Sequence, residues 1–213
     1  MKKLRVLLVD DHVMVLEGFK RLIEDQCEVV GMVEDGRTLL EVAPKLKPDI
    51  ITMDISMPWL NGLDAARRLK KEMPDVKIIF LTMHADVAYV REAFAAGASG
   101  FLMKRSAGTE LLQAIQAVSN GQYYITSLIT KDLVRSILEG ASNVSPQRDV
   151  LTPRQREVLQ LVAEGRAVKE IATILNVSAK TVEYHKGQIM EQLNLHTTAE
   201  LTKYAVAHGL VPP

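Results

Sequence analysis

Short apolar segments alternate with amphipathic segments over the first 120 residues of the chain. Most of the apolar segments are rich in valine or isoleucine, and such continuous apolar runs are typical of parallel strands buried on both faces. They span residues 4–9, 29–33, 50–53, 78–81 and 101–103. The helix-like segments between and after them span residues 13–25, 37–46, 63–72, 87–96 and 107–119. Five such repeats predict an α/β domain with a doubly wound, five-stranded parallel sheet covered by helices on both faces.

A different pattern begins after residue 122. Leu128, Leu133, Ile137 and Leu138 indicate one more amphipathic helix. The next ten residues, from Gly140 onward, are small, polar and include a proline, which is the composition of a linker. The sequence therefore predicts a linker helix followed by a flexible linker over residues 123–149.

The rest of the chain, residues 150–213, is predicted to be a smaller all-α domain that follows the α/β domain of residues 1–122. Thr152 as N-cap, Pro153 in the first turn and Gln155 at the capping-box position form a strong helix start. That helix should end near Gly165, because glycine readily adopts the left-handed conformation. Further helices are expected at residues 169–175, 179–193 and about 198–209, with a tight turn at 176–178 that places Ser178 as an N-cap.

Composition limits the partners and the compartment. The formal net charge of the chain is zero, and residues 146–213 carry only +1, so no global basic field points to nucleic acid or a membrane as a partner. The single cysteine, Cys27, excludes an intrachain disulfide and a cysteine-based metal site, which fits a reducing cytoplasm. The apolar stretch near the start ends at Asp10, too early for a secretory signal, and no run approaches the roughly 20 apolar residues that span a bilayer. We expect a soluble, cytoplasmic protein with no membrane partner.

The residues that follow the apolar segments are candidates for chemistry. Asp10 and Asp11 follow the first segment, Asp54 the third, Thr82 ends the fourth and Lys104 follows the fifth. Because ligands bind at the carboxyl ends of strands in open α/β sheets, these side chains should converge on one crevice. A lone aspartate at a strand end is usually a solvated loop residue, but a set that ends four strands indicates a site.

Three clustered carboxylates repel one another, and a hard divalent cation such as Mg²⁺ would neutralise them because it takes oxygen ligands. A lysine in the same crevice suits a phosphoryl oxygen. A carboxylate can itself be the nucleophile that forms an aspartyl phosphate. Asp54, the middle carboxylate, is the best candidate for that nucleophile.

Residues 4–120 resemble the receiver domains of two-component systems, which have a flavodoxin-like fold. The resemblance implies that Asp54 is the phosphoacceptor and that Lys104 contacts the phosphoryl group. It also implies that Asp10 and Asp11 hold Mg²⁺ together with Asp54 and the backbone carbonyl of Ser56. The motifs that carry it are Val9-Asp10-Asp11-His12, Met53-Asp54-Ile55-Ser56-Met57-Pro58 with Gly62, Leu81-Thr82 and Gly100-Phe101-Leu102-Met103-Lys104.

The resemblance further implies a switch. Thr82 would move toward the phosphoryl group on activation, and Phe101 would change its burial in response. Ser56 and His84, two residues beyond Asp54 and Thr82, are expected to govern how fast water removes the phosphoryl group.

Three positions depart from the common receiver pattern. Arg105 stands where many receivers have proline after the lysine, which leaves open whether the Lys104–Arg105 peptide bond is cis. Phe101 stands where tyrosine is common, so the switch has no hydroxyl and must work by packing. Met83 replaces a small residue and is expected to crowd access to the phosphoryl group.

The segment 169–193 has the proportions of a helix-turn-helix. At 3.6 residues per turn, Val182, Ile189 and Leu193 share one face of its second helix, and Tyr184 and Gly187 lie opposite. An exposed face of this kind suits insertion in the major groove, although a polar helix face is usually only solvated. Close approach to DNA would explain a glycine inside a helix, whereas His185, at the edge of the apolar face, is more typical of a packing or capping residue.

The C-terminal segment resembles the LuxR-type tetrahelical DNA-binding domain, and a receiver joined to it resembles the NarL/FixJ subfamily. The resemblance rests on residues 151–159, the stretch Lys169-Glu170-Ile171-Ala172, and Val177 to Val182 with His185 and Ile189-Met190. It implies phosphate contacts from Lys169, Lys180 and Thr181. It places Glu183, Tyr184 and Gly187 at the base-facing positions.

The combination predicts a phosphorylation-gated DNA-binding transcription regulator. Its partners would be a histidine kinase, double-stranded DNA and, on activation, a second copy of the chain. Leu201, Ala205 and Val206 in the last helix are candidates for a small dimer surface. We expect no enzyme activity beyond the chain's own phosphorylation and dephosphorylation.

Two other classes of protein share part of this pattern. A haloacid-dehalogenase-like phosphatase also forms an aspartyl phosphate on an α/β sheet, but its motif has a general-acid aspartate where this chain has Ser56. A nucleotide-binding fold would have a glycine-rich phosphate loop after the first strand, where this chain has Asp10-Asp11-His12. Turnover of a generic phosphate ester would distinguish an enzyme from a receiver.

Overall fold

The computed structural model describes residues 3–83, 87–138 and 151–211. The chain divides into two compact units, an α/β unit and a C-terminal helical unit, which are considered in turn. Over the described ranges, no helix combines the length and apolar character needed to cross a membrane.

The α/β unit is a parallel sheet with the strand order β2-β1-β3-β4-β5-β6. Its strands are β1 (Leu4–Val9), β2 (Cys27–Val33), β3 (Ile50–Met53), β4 (Lys77–Thr82), β5 (Gly100–Met103) and β6 (Tyr124–Ile125). Its helices are α1 (Val13–Ile23), α2 (Gly36–Leu46), α3 (Gly62–Glu72), α4 (Val87–Ala95), α5 (Ala107–Ser119) and α6 (Ser127–Leu138), with a 3-10 turn at Lys104–Ser106. The α/β class and the doubly wound arrangement are confirmed.

The prediction of five strands was wrong, because the sheet has a sixth strand. β6 pairs in parallel with β5, and the Thr126 amide donates a hydrogen bond of 2.9 Å to the Phe101 carbonyl. Two residues are too few to show the alternation that marks a strand, so the sequence pattern assigned this stretch to a helix. That helix, α6, begins only at Ser127. The domain boundaries at 122 and 149 stay predictions, and the predicted flexible linker, residues 140–149, lies outside the described residues.

Side chains alternate between the two faces of the sheet. One face packs against α1 and α5, where Leu16, Phe19 and Leu111 contribute to a buried apolar cluster with strand residues such as Leu8 and Leu102. Helices α2, α3 and α4 cover the other face. Because both faces are covered, the strands are apolar at almost every position, as continuous runs in the sequence predicted.

The C-terminal unit consists of α7 (Pro153–Ala163), α8 (Val168–Leu175), α9 (Ala179–Leu193) and α10 (Thr198–Ala207). The capping box that begins α7 is confirmed: the Thr152 side chain accepts from the Gln155 amide, and the Gln155 side chain accepts from the Thr152 amide. Ser178 caps α9 by accepting from the Thr181 amide. Gly165, just past α7, has a positive φ of 79°, as expected for a glycine that ends a helix.

The apolar face of α10, which was predicted to form a dimer surface, is buried inside the helical unit. Leu201 and Ala205 are 1% and 0% exposed and belong to the apolar core of this unit, which includes Val158 and Val182. The prediction that Leu201 and Ala205 supply dimer contacts was therefore wrong, whereas the prediction for Val206, which is half-buried, stays a prediction. An amphipathic helix carries one apolar face, and here that face packs against α7 inside the unit.

Candidate functional site

The strand order brings the predicted acidic residues together at one edge of the sheet. β1 lies beside β3, and Val9 is in register with Met53, so Asp10 and Asp54 leave the sheet next to each other. The Asp54 amide donates to the Val9 carbonyl at 3.0 Å, which fixes this junction. The convergence expected at the carboxyl ends of the strands is present.

Lys104 joins the two carboxylates. Its Nζ lies 2.6 Å from Asp10 Oδ2 and 2.6 Å from Asp54 Oδ2. All three groups are nearly inaccessible, with side-chain exposures of 11% for Lys104, 1% for Asp10 and 8% for Asp54. A cation held between two buried anions removes much of the repulsion that the carboxylates would otherwise exert on one another.

The pKa values in the cluster follow from burial and from this pairing. Burial raises the pKa of Asp54, and the nearby Lys104 ammonium offsets only part of the rise. Burial by itself lowers the pKa of Lys104, but the carboxylates of Asp54 and Asp10 outweigh it, so the net pKa of the lysine is raised. Lys104 is therefore a permanent cation at neutral pH, as contact with a phosphoryl group requires.

The backbone holds the second oxygen of Asp54. Asp54 Oδ1 accepts from the Ile55 amide at 2.6 Å. The loop returns so closely that the Gly62 amide donates to the Ile55 carbonyl at 2.8 Å, and a Cβ on Gly62 would lie 2.1 Å from the Asp54 carbonyl oxygen. Only glycine permits this approach, so Gly62 is a positioning residue for the carboxylate.

The acidic residues fit a hard metal ion. Asp10, Asp11 and Asp54 carry three negative charges against the single charge of Lys104. Asp11 Oδ1 is buried, and it forms an ion pair with the His12 ring, whose Nδ1 lies 2.9 Å from Asp11 Oδ1 and 3.3 Å from Asp10 Oδ1. An excess of oxygen donors with residual negative charge is the donor set that Mg²⁺ prefers.

His12 had no assigned role in the sequence analysis. Its ring can share the carboxylates of Asp10 and Asp11, since donor atoms of the three residues lie within 4.8 Å of one another. Its position directly after the two aspartates was the only available signal. Ser56, the predicted carbonyl ligand, is half-buried, and its amide lies 3.4 Å from Asp54 Oδ1.

The two predicted switch residues lie on the same face of the sheet. Thr82 is in register with Met103, and Phe101 with Phe80, which places Thr82 and Phe101 on the side covered by α4. Both are 0% exposed. The Lys104–Arg105 peptide bond is trans. Met83 is 67% exposed, and the predicted lifetime residue His84 lies outside the described residues.

The six predicted DNA-contacting residues all lie at the surface of the helical unit. Five of them are exposed, namely Lys169, Lys180, Glu183, Tyr184 and Gly187. Thr181 is half-buried, and its hydroxyl lies 2.8 Å from the Ser178 hydroxyl at the start of α9.

The opposite side of α9 builds the core. Val182 and Ile189 are buried and Leu193 packs against them, as the periodicity predicted. His185 is half-buried at the edge of this face, with its ring 5.7 Å from that of Tyr184, which fits a packing role. Lys186 Nζ donates a hydrogen bond of 3.3 Å to the Thr198 hydroxyl, so this side chain is bonded within the helical unit.

Sequence reasoning did not single out Gln188. It lies one turn beyond Tyr184, and its Nε2 donates a hydrogen bond of 2.8 Å to the Tyr184 hydroxyl. The spacing of four residues on a helix was a signal that could have found the pair.

Both units match known families. Residues 6–116 match the response regulator receiver domain, and residues 149–205 match the luxR family of bacterial regulatory proteins. The chain is 37% identical to the response regulator UvrY of Escherichia coli strain K12, over 97% of this chain and 95% of UvrY. It is 36% identical to the transcriptional regulatory protein MctR of Rhizobium johnstonii, over 98% of this chain and 96% of MctR.

Solved structures give the same result. The RcsB response regulator of Salmonella typhimurium has a TM-score of 0.65 and 31% identity, over 97% of this chain and 98% of that chain. A structure of the RcsB–DNA complex has a TM-score of 0.60 and 30% identity, over 95% of this chain and 98% of that chain. The chain therefore belongs to the NarL/FixJ family of two-component response regulators, with a receiver followed by a LuxR-type DNA-binding domain.

Proposed function

We propose that this chain is a phosphorylation-gated transcription regulator in which Asp54 accepts a phosphoryl group from a histidine kinase. The observation that carries the proposal is the buried cluster in which Lys104 lies 2.6 Å from both Asp10 and Asp54. The same chain presents an exposed α9 face of the kind that enters the DNA major groove. We place its action in the cytoplasm, where bacterial DNA is accessible.

The transfer is an in-line displacement at phosphorus. A carboxylate oxygen of Asp54 forms a bond to the phosphorus of the kinase phosphohistidine. The phosphorus–nitrogen bond breaks, and its electron pair returns to the imidazole, which takes up a proton. Lys104 contacts the phosphoryl oxygens through its ammonium, and Ile55 and Gly62 keep the Asp54 carboxylate in place.

Asp10, Asp11, Asp54 and the backbone carbonyl of Ser56 would hold Mg²⁺. When bound, the ion supplies the positive charge that the carboxylates and the phosphoryl oxygens together lack. The second position beyond Asp54, where a haloacid-dehalogenase-like phosphatase has its general-acid aspartate, is Ser56 in this chain. The chain would thus label itself once and hydrolyse that label slowly, and would turn over no external substrate.

Phosphorylation acts by promoting dimerisation. The aspartyl phosphate carries about −2 charge at a buried site, which draws in Thr82 and repacks Phe101. Paired receivers bring two DNA-binding domains together, and linking two modest binders raises avidity by roughly 10² to 10⁴. One solved structure is described as two RcsB dimers bound to two parallel DNAs, which supports the same assembly here.

The phosphoacceptor is tested with acetyl phosphate and Mg²⁺, followed by intact mass measurement. The wild-type chain should gain one phosphoryl group, and Asp54→Ala should gain none. Asp49→Ala is the matched control. Asp49 lies directly before β3, whereas Asp54 lies directly after it, and the Asp49 carboxylate accepts a hydrogen bond from the Arg5 amide. Labelling that persists in Asp54→Ala, or that is undiminished in a chelator, would contradict the proposal.

The gating is tested by sedimentation and DNA titration at fixed salt, with and without acetyl phosphate. We expect phosphorylation to raise both the dimer fraction and the DNA affinity. Tighter DNA binding by a chain that stays monomeric both free and on DNA would reject dimerisation. The mechanism would then be release of a recognition helix that the receiver had covered.

A further inference from the structure

The chain that leaves α5 folds back onto the elements that carry and cover the switch residue Phe101. The Tyr124 amide donates a hydrogen bond of 3.1 Å to the Ser99 carbonyl. Two residues later, the Thr126 amide donates one of 2.9 Å to the Phe101 carbonyl. Helix α6 then packs against α4. The β6–α6 segment, residues 124–138, therefore contacts both β5, which carries Phe101, and α4, which covers the same face of the sheet.

A single carboxylate holds the start of this segment to α5. Glu110 Oε2 accepts a hydrogen bond of 3.3 Å from the Tyr124 hydroxyl, and Glu110 Oε1 accepts one of 3.2 Å from the Ser127 hydroxyl. The two oxygens thus join α5 to β6 and to the first residue of α6. A strand of two residues is shorter than most strands and forms few main-chain hydrogen bonds. Side-chain contacts such as these therefore contribute much of what keeps the segment docked.

The same segment contains a buried polar group that favours release. Thr126 is 0% exposed, and its hydroxyl has no hydrogen-bond partner among the residues that the structure describes. The residue stands directly before α6, where a threonine side chain commonly bonds to the first turn of the helix. A buried hydroxyl without a partner destabilises the docked state, and it regains hydrogen bonds to water when the segment leaves. Glu110 therefore favours docking, and Thr126 opposes it.

Phe101 connects this balance to the phosphorylation site. Its side chain lies on the same face of the sheet as that of Thr82, and its carbonyl accepts from the Thr126 amide. A shift of Phe101 on phosphorylation therefore acts on the last main-chain hydrogen bond of β6. Coupling between two sites is reciprocal, so a change that favours release of the segment must also favour the phosphorylated state.

We propose that the β6–α6 segment is a latch, which Glu110 holds closed against β5 and α4 and which phosphorylation of Asp54 opens. The proposal rests on the phosphorylation of Asp54 proposed above. Along the chain, the receiver is joined to the DNA-binding unit only through this segment. Opening of the latch therefore releases the receiver end of the linker, which gives phosphorylation a route to the rest of the protein.

The test is amide hydrogen exchange of the full chain, followed by NMR, with beryllofluoride as the phosphoryl mimic in the presence of Mg²⁺. In wild type, beryllofluoride should raise exchange at the Tyr124 and Thr126 amides, and in Asp54→Ala it should not. Glu110→Ala should raise exchange at both amides without beryllofluoride, by about 5-fold or more, because two hydrogen bonds are lost. Tyr123→Phe is the matched control, because it removes the hydroxyl of the neighbouring exposed tyrosine, and it should exchange as wild type does.

A second variant should act in the opposite direction. Thr126→Val keeps the branched shape and removes the unpaired hydroxyl, so it should slow exchange at the same two amides by about 5-fold. Reciprocity requires that Thr126→Val weaken the binding of beryllofluoride and that Glu110→Ala tighten it, as measured by fluorine NMR. The Asp49 amide, which bonds to the Arg5 carbonyl, should exchange equally in all variants, which separates opening of the latch from loss of the fold.

Three results would overturn the proposal. The first is exchange at the two amides that does not change when beryllofluoride is bound to wild type. The second is wild-type exchange in Glu110→Ala, and the third is a Thr126→Val variant that opens more readily than wild type. If wild type binds no beryllofluoride and gains no phosphoryl group from acetyl phosphate, the failure lies in the proposed function itself, and the latch falls with it.

Discussion

The two functional surfaces of this chain are built in opposite ways. The receiver site is a set of charges with little exposure, in which Lys104 is 11% and Asp10 1% exposed. The surface of α9 that we propose contacts DNA is exposed, and Gln188 there donates a hydrogen bond to the Tyr184 hydroxyl. One site holds its chemistry inside the fold, and the other displays it outside.

The difference predicts how each site responds to substitution. Charges taken out of water depend on their partners, so a change in the receiver site alters stability and function together. Exposed side chains contribute little to stability, so a change on α9 alters DNA binding almost alone. Substitutions at Lys104, Gly62, Gly187 and Lys180 test this separation.

Removal of the buried cation should have the largest effect. Lys104→Ala leaves Asp10 and Asp54 facing each other without a counter-charge, and breaking a buried pair costs about 3–5 kcal/mol. Urea denaturation of the full chain measures the loss. Lys169→Ala, an exposed lysine of the helical unit, is the control and should stay within about 0.5 kcal/mol of wild type.

The loss in Lys104→Ala should shrink as the pH falls. Burial raises the pKa of Asp54, so the folded state binds this proton more tightly than the unfolded state. The free energy of unfolding that is linked to Asp54 therefore rises as the pH falls toward the raised pKa. Removal of Lys104 widens the pH range over which this rise occurs. A deficit that is constant with pH would show that the repulsion between the carboxylates is not its cause.

The next largest effect is expected at Gly62. A Cβ at this position would lie 2.1 Å from the Asp54 carbonyl oxygen, and backbone atoms must move to admit it. We expect Gly62→Ala to destabilise the chain by about 3 kcal/mol and to slow labelling of Asp54 by acetyl phosphate. Wild-type stability together with normal labelling would show that the loop tolerates the displacement.

Gly187→Ala should have the reverse effect on stability. Nothing lies within 4 Å of the added Cβ, so the helix should gain about 1 kcal/mol. DNA affinity should nevertheless fall, because the added methyl group keeps the backbone away from the groove. A variant that is more stable and binds DNA as tightly as wild type would remove the reason for glycine at this site.

The smallest effect is expected from a phosphate contact. Lys180→Ala should leave the free energy of unfolding almost unchanged, since the side chain is exposed. The plot of log affinity against log salt should become shallower by about 1, the value for one lost phosphate contact. An unchanged slope would place Lys180 outside the DNA interface.

Much of the architecture was determined by local sequence. Continuous apolar runs predicted β1, β3 and most of β2, β4 and β5, because strands buried on both faces have no polar face to maintain. The starts of α7 and α9 could also be predicted, because their capping side chains bond to backbone groups of the same first turn. These side chains are Thr152 and Gln155 in α7 and Ser178 in α9. The acidic site residues could be identified because they follow predicted strands, and parallel topology gathers the carboxyl ends of those strands at one edge of the sheet.

Tertiary structure decided what depends on distant partners. β6 exists because β5 offers it hydrogen bonds, and two residues alone have no pattern that predicts a strand. Lys104 bridges Asp10 and Asp54 across 94 and 50 positions of sequence, so no local spacing could show that it neutralises both. Leu201 and Ala205 are apolar whether they face a partner copy or α7, and only packing shows that they face α7. Local sequence determines backbone conformation and the chemistry available, whereas the choice of partner for each exposed apolar or charged group is a property of the folded chain.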